Sequence, residues 1–342
     1  MIKNAFCISF IILTLSGCTD LLLGPTPSLS HTAIFDELWH DFDARYALFE
    51  VHHVNWDSLY NLFRPHVTDN MADSVLSKTI DTLLRSLHDP HVGFSTFNSN
   101  YNYGEPYLDS AASFDFYKVS SFYLGASASV TGYGHIFYGF INDSLAYIYL
   151  PSFDESSDTY GWAAQFDSVL IKLQLAKGLI LDVRSNQGGT QANFISIASH
   201  FFSASHDVMH IQERNGPKHS DFSSVEVQSI SPVGIQYKKP IVLLTDRFTL
   251  SAAEWFTLAM KTLPNIVRVG DTTSGAFSPR LDRELANGWI YSLSIEKVTD
   301  INGNSFEGRG IPPEVTIHLP PHYRASFSKD TTLDKAIEIL SK

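Results

Sequence analysis

The stretch "IVLLTDRFTLSAAEWF", residues 241–256, runs from an unbroken apolar segment through a short polar turn into a second apolar segment that opens on Ser251. Apolar residues without in-and-out alternation read as a strand buried on both faces, and "SAAEWFTLAMKTL" (251–263) reads as a helix. Ser251 and Glu254 have the Ser-x-x-Glu spacing of a capping box, in which the serine oxygen satisfies a helix-start N–H and the glutamate reaches back. Ser251 also stands where a strand hands over to a helix, which is where α/β folds place their sites. It therefore has two readings, helix cap and nucleophile, and the rest of the chain must choose between them.

The same rhythm extends in both directions. "SLAYIYLPSF" (144–153), "GLILDVRS" (178–185), "KPIVLLTD" (239–246) and "NIVRVGDTTSG" (265–275) read as strands. "GWAAQFDSVLIKLQLAK" (161–177) and "GGTQANFISIASHFF" (188–202) read as helices between them. Short apolar strands alternating with amphipathic helices are the pattern of βαβ units around a sheet covered on both faces. Both "RSNQGG" and Ser251 follow strands directly, which favours a site there.

Upstream, "AIFDELWHDFDARYALFE" (33–50) spaces Phe35, Leu38, Trp39, Phe42, Tyr46 and Phe49 along one helix face. A second helix is expected around "WDSLYNLFRPHV" (56–67), starting near Asn55 or Asp57, and a third from Asp73 to His88. Residues 33–93 read as a helical domain whose aromatic stripe is core, residues 94–140 as a β-rich connection, and residues 321–342 as a C-terminal helix.

Bulk properties narrow the function. Of 342 residues, 44% are hydrophobic and 18% charged, so the chain can bury a large core. The formal charge of −12 comes without a basic run, which argues against nucleic acid and anionic lipid head groups as partners. The 14 histidines form no His-Glu-x-x-His and have no cysteine pair beside them, so no metal or other cofactor is expected. Both cysteines, Cys7 and Cys18, lie in "MIKNAFCISFIILTLSGC" (1–18), which has one basic residue, an apolar run too short to span a bilayer, and the ending "LSGC". This resembles the lipobox of bacterial lipoproteins, in which the cysteine becomes the lipidated first residue. It implies a cleaved signal, a Cys18 lipid anchor, a tether over 19–32, and a place on the periplasmic face or surface of the bacterial cell envelope.

Acyl transfer by a serine needs a base and donors aimed at the developing oxyanion. Gly188 and Gly189 open a helix right after a strand, so their N–H groups are candidates, with the N–H of Ala252 as the second donor.

Four segments in order, "LILDVRSNQGGT" (179–190), "IVLLTDRFTLSAAEWF" (241–256), "RVGDTTSGAFS" (268–278) and "FEGRGIPPEV" (306–315), resemble the motifs of the tail-specific, or C-terminal processing, serine proteases. The match covers roughly 140–320, and the front end closing with "LRSLHDPHVGFST" (84–96) resembles that family's segment before its core. The resemblance implies an α/β fold: an N-terminal helical bundle plus a β/α sheet core of the crotonase/ClpP-like kind, built from ββα units, with the catalytic core at 141–320. One branch of the family uses a Ser/Lys dyad, but Ala276 stands where its lysine would be. Lys261, further along the nucleophile's helix, is not nominated.

The other branch resembles the core of the tricorn protease and takes its base from a histidine before the sheet. His91 in "LHDPHVG" (87–93) matches it, with His88 as rival, and an imidazole suits proton transfer near neutral pH. Glu307 matches that branch's glutamate. The serine expected just before the histidine is replaced by Pro90, which leaves Asp89 and Glu307 as candidates to orient His91. The resemblance thus implies an exported serine endopeptidase acting on unfolded polypeptides bound as an added strand. Ser251 is the nucleophile, His91 the base, Glu307 the support, and Gly188 or Gly189 with Ala252 the oxyanion donors. No stretch is long enough for the PDZ domain that many relatives carry. The alternative is a non-catalytic peptide- or lipid-binding lipoprotein of the same fold. An α/β-hydrolase esterase is disfavoured because no Gly-x-Ser-x-Gly surrounds Ser251.

Overall fold

The computed structural model describes residues 28–102, 114–155, 161–317 and 329–342, so Cys7, Cys18 and most of the expected tether lie outside the described residues. Its centre is a seven-stranded sheet built from β3 (Ser129–Thr131), β4 (Ile136–Asn142), β5 (Leu145–Tyr149), β6 (Gly178–Asp182), β9 (Ile241–Thr245), β10 (Ile266–Gly270) and β14 (Val315–Thr316). The order is β14-β10-β9-β6-β5-β4-β3. The run from β5 through β14 is parallel, and β4 and β3 join antiparallel.

Alternate residues of the central strands feed two cores. Leu179, Leu181, Ile241 and Leu243 face one layer, under α4 (Phe166–Lys172), α5 (Gln191–Ala198) and α6 (Ala252–Met260). Ile180, Val242 and Leu244 face the other, under α7 (Thr331–Leu340) and the segment from Phe114 to Leu124. Burial on both faces is why these strands show no polar alternation. Arg184, just past β6, ties the second layer down: its guanidinium pairs with Asp182 at 2.6 Å and with Asp330, the N-cap of α7, at 2.8 Å.

The helical front end contains α1 (His31–Arg45), α2 (Trp56–Phe63) and α3 (Asp73–Arg85). Asn55 caps α2, and Ser30 caps α1, which therefore starts inside the stretch expected as tether. The unit does not close on itself at residue 93. Its core takes in Leu285, Trp289, Tyr291 and Leu293 from far downstream. They belong to the hairpin β11 (Arg280–Glu284) and β12 (Ile290–Ser294), which forms a four-stranded sheet, β11-β12-β1-β2, with β1 (Gly93–Ser95) and β2 (Asn100–Asn102). Tyr291 donates to Asp41 at 2.7 Å and packs on Phe42, locking the hairpin to α1. The hairpin, which falls inside the expected 141–320 core, thus packs its apolar residues with the front-end helices.

The expected β-rich connection over 94–140 also divides. Residues 93–102 belong to the hairpin sheet, residues 116–127 are short helical turns, and β3 and β4 extend the central sheet. A third sheet, β13-β7-β8, is made of β7 (His206–Glu213), β8 (Glu226–Ile230) and β13 (Glu296–Asp300). The C-terminal helix is confined to α7 among the described residues.

Candidate active site

Three parallel strands, β6, β9 and β10, end side by side, with Asp182 opposite Leu244 and Thr245 opposite Gly270. The loops that follow them build the site, as expected at the carboxyl ends of strands.

The loop after β9 delivers Ser251. Asp246, buried at its start, accepts from the Ser185 and Phe248 N–H groups, and burial pushes its carboxyl up to about 6. Thr249 donates to the Val183 carbonyl, and the Leu250 N–H to the Asn186 carbonyl, which fasten this loop to the one after β6. Ser251 then sits at φ 57°, ψ −124°, a conformation that a residue with a Cβ adopts only under constraint. It occupies the N-cap position of α6, but its hydroxyl makes no capping bond. The cap reading of the side chain is therefore corrected. Among the described residues the hydroxyl has no hydrogen-bond partner.

Glu254 keeps its half of the capping box as its weakest contact, and its carboxyl is held mainly by other donors. Buried completely, its carboxyl accepts from the Thr273 hydroxyl at 2.5 Å and from the Gly275 and Ala276 N–H groups at 2.7 Å each, with a smaller pull from the Ser251 N–H. Burial pushes it up to about 7 despite these donors. Sequence reasoning missed this role. The signal was available: Glu254 is the lone charge in α6, a helix buried at every position, and a buried carboxyl needs donors.

The loop after β6 supplies the glycines. Gly188 has φ 96°, and a Cβ there would lie 2.8 Å from both the Ser251 Cβ and the Ala252 nitrogen, so its Cα packs directly against the Ser251 turn. Its N–H donates to the Asn186 side chain at 2.8 Å. Gly189 has φ 138°, and a Cβ there would overlap the Phe153 backbone. The N–H groups of Gly189 and Ala252 carry no hydrogen bond among the described residues. Gly189, Ser251 and Ala252 line one cavity of about 300 Å³.

The loop after β10 forms a strap, residues 271–279, held by two glutamates. Glu254 grips its first half, and Glu307 its second, accepting from the Phe277 and Ser278 N–H groups at 3.0 Å each. Glu307 is buried. Burial and then the charges of Asp89 and Glu254 push its carboxyl well above the usual range, and its Oε1 has no partner.

His91 borders the same strap from the other side. Its N–H donates to Asp89 at 2.8 Å, its carbonyl accepts from Ser292 at 2.9 Å, and its ring faces the Ser278 carbonyl, leaving Nδ1 buried without a partner. Burial is the main force lowering its pKa. Asp89 opposes that shift, and Arg280 adds to it. His88 is exposed and has φ 52°. Lys261 is paired with Asp300 at 3.4 Å.

The structure thus gathers Ser251, His91 and Glu307 around residues 277–280. No hydrogen bond joins the Ser251 hydroxyl to the imidazole, a looseness common in sites without substrate.

The sequence model of peptidase family S41 matches residues 144–317, and that of the tricorn protease C1 domain matches residues 27–84. Two curated relatives are carboxy-terminal processing proteases of Bacillus subtilis (strain 168). CtpB is 29% identical over 184 residues, 53% of this chain and 36% of the relative. CtpA is 26% identical over 188 residues, 54% of this chain and 38% of the relative. The chain thus spans little more than a third of the length of these curated relatives. A crystal structure assigned as a peptidase, from Parabacteroides merdae ATCC 43184, aligns with a TM-score of 0.82 at 27% identity, covering 92% of this chain and 98% of that one. With half of its length matched by one family model, and with that structure covering 92% of it, the chain belongs to peptidase family S41.

Proposed function

We propose that the protein is a serine endopeptidase that cleaves unfolded polypeptides. Ser251 Oγ attacks the peptide carbonyl carbon while His91 takes the hydroxyl proton. The carbonyl oxygen, now an oxyanion, receives the N–H groups of Gly189 and Ala252. Gly188 is set aside as a donor because its N–H is already held by Asn186. His91 then passes its proton to the leaving amine, and water, deprotonated by His91, releases the acyl group from Ser251. Glu307 serves as support by fixing the strap that His91 borders.

One observation carries this reading. Ser251 is held in a strained backbone conformation with its hydroxyl uncommitted, beside two N–H groups that are likewise uncommitted and line the same cavity. Strain and unpaired donors cost stability, and such costs gather at catalytic sites.

The reading extends to location. A Cys18 lipid anchor would hold the enzyme on the periplasmic face or surface of the bacterial cell envelope, where polypeptide substrates pair with it as an added strand. Changing Cys18→Ser should move the protein from the membrane to the soluble fraction, and an unchanged distribution would refute the anchor.

The test of activity is digestion of an unfolded protein by the chain starting after Cys18, beside Ser251→Ala and His91→Ala, with fragments read by mass spectrometry. Cleavage by the parent and by neither variant is the expected result. A folded parent that stays inert across pH would instead make this a binding protein of the same fold.

A further inference from the structure

We infer that the cavity beside Ser251 receives the side chain of the substrate residue whose carbonyl is attacked, and that it selects leucine-sized to aromatic apolar side chains there. This rests on the peptidase reading and goes beyond it by naming the substrate class.

The cavity is lined in part by the three residues that would surround a reacting carbonyl: Ser251, Ala252 and Gly189. The side chain next to that carbonyl branches one bond away from its carbon, so it must enter the space these residues enclose. The same lining includes Phe194, Trp255, Phe277 and Pro279. These walls are fixed. Phe194 and Phe277 are buried, Phe194 meets Trp255 edge-on at 6.0 Å, and the Trp255 indole N–H donates to the Phe277 carbonyl at 2.7 Å. Trp255 lies one helical turn after Ala252, so a single element, α6, carries both an oxyanion donor and a wall.

Size and polarity set the preference. An apolar cavity of about 150 Å³ holds benzene. At about 300 Å³ this one accepts a phenyl or isobutyl group without displacing its walls. A charged substrate side chain set against these four residues would find no counter-charge among them. The sole ionisable residue of the lining is Arg280, whose guanidinium is 56% exposed at the rim and paired with Asp282. Gln191 is also exposed and donates to Gln228.

The experiment uses the full chain and a set of peptides that differ only at one position, occupied by Leu, Phe, Ala, Gly, Asp or Lys, with the cut located by mass spectrometry. We expect kcat/KM for Leu and Phe to exceed that for Gly, Asp and Lys by about a hundredfold, the discrimination an apolar pocket gives. Gln191→Glu, an exposed change that leaves the walls intact, should raise the Lys peptide about tenfold relative to Leu by placing a carboxylate at the rim. Phe194→Leu should shift the Phe-to-Leu ratio upward. Cleavage with no preference at this position, or with Asp or Lys as good as Leu, would overturn the subsite while leaving the peptidase standing. Cleavage of none of the peptides by the parent would overturn both.

Discussion

Replacing Glu254 by glutamine separates the two things its carboxyl does in the site, accepting hydrogen bonds and carrying charge. In the unfolded chain this group has an ordinary value of 4.5, and in the fold burial raises it to about 7. Below pH 4.5 both states are protonated, and the group costs nothing. As pH rises from there the unfolded chain releases its proton first. Stability is then lost at up to about 1.4 kcal/mol per pH unit, until the folded carboxyl ionises near 7 and the loss levels off. Between pH 5 and pH 8 the loss comes to about 2.5 kcal/mol.

Glutamine cannot titrate, so its stability relative to the parent should climb by that amount over the same interval. The bond it forfeits at the Ala276 N–H, worth about 1–3 kcal/mol, is a nearly constant offset that drops out of the comparison. Relief of Glu307, which the Glu254 charge pushes upward, adds in the same direction. Urea unfolding followed by tryptophan fluorescence at pH 5 and pH 8 gives four free energies and one double difference. A double difference within about 0.5 kcal/mol of zero, the usual level of additivity between independent effects, would refute the buried, proton-holding carboxyl.

Gly188→Ala combines a left-handed φ with contact on the nucleophile's turn, so it should lower stability by about 3 kcal/mol in urea unfolding and abolish cleavage even where the protein stays folded. The pKa of His91 is held below 6.5, so kcat/KM should keep its plateau to below that pH; Arg280→Gln removes a charge that helps hold it down, and the acid limb of the profile should move to higher pH. Arg184→Met leaves Asp182 and Asp330 buried without a counter-ion, and should cost about 3–5 kcal/mol and accelerate amide exchange in α7.

What could be read from residues alone follows from where their partners lie. β5, β6 and β9 were legible because burial on both faces leaves an apolar run, and the turns after β6 and β9 placed the glycine pair and Ser251 at strand ends; β10 was legible despite Arg268 at its centre. The choice between Gly188 and Gly189 was not legible. It depends on the Asn186 side chain folding back on the Gly188 N–H, a matter of loop conformation that composition does not determine. Nor was the β11–β12 hairpin read, although Asn287 and Gly288 form a usable turn signal. β11 is mostly exposed, and the partner that holds β12, Asp41 on α1, lies 250 positions upstream.

The same hairpin accounts for how His91 is oriented with Pro90 in place of a serine. Asp89 makes no hydrogen bond to the ring among the described residues: one of its oxygens takes the His91 backbone N–H and the other the Tyr46 hydroxyl at 2.9 Å, and it reaches the imidazole through its charge. Its geometry fixes the histidine's backbone and leaves the ring free. The ring is placed instead by pairing of β1 with β12, which brings Gly93 opposite Ser292 and sets the imidazole against the Ser278 carbonyl. Glu307 holds the N–H of that same residue, Ser278. In the proposed mechanism Glu307 therefore acts on His91 through Ser278 in the strap, where a serine hydroxyl would otherwise mediate. A contact through main chain cannot be deleted by mutating Ser278, but it can be loosened from Glu307, whose Oε2 holds two strap N–H groups at once. In that mechanism the dependence on Glu307 takes the form of a positional requirement on the strap, a path that calls on no donor at position 90.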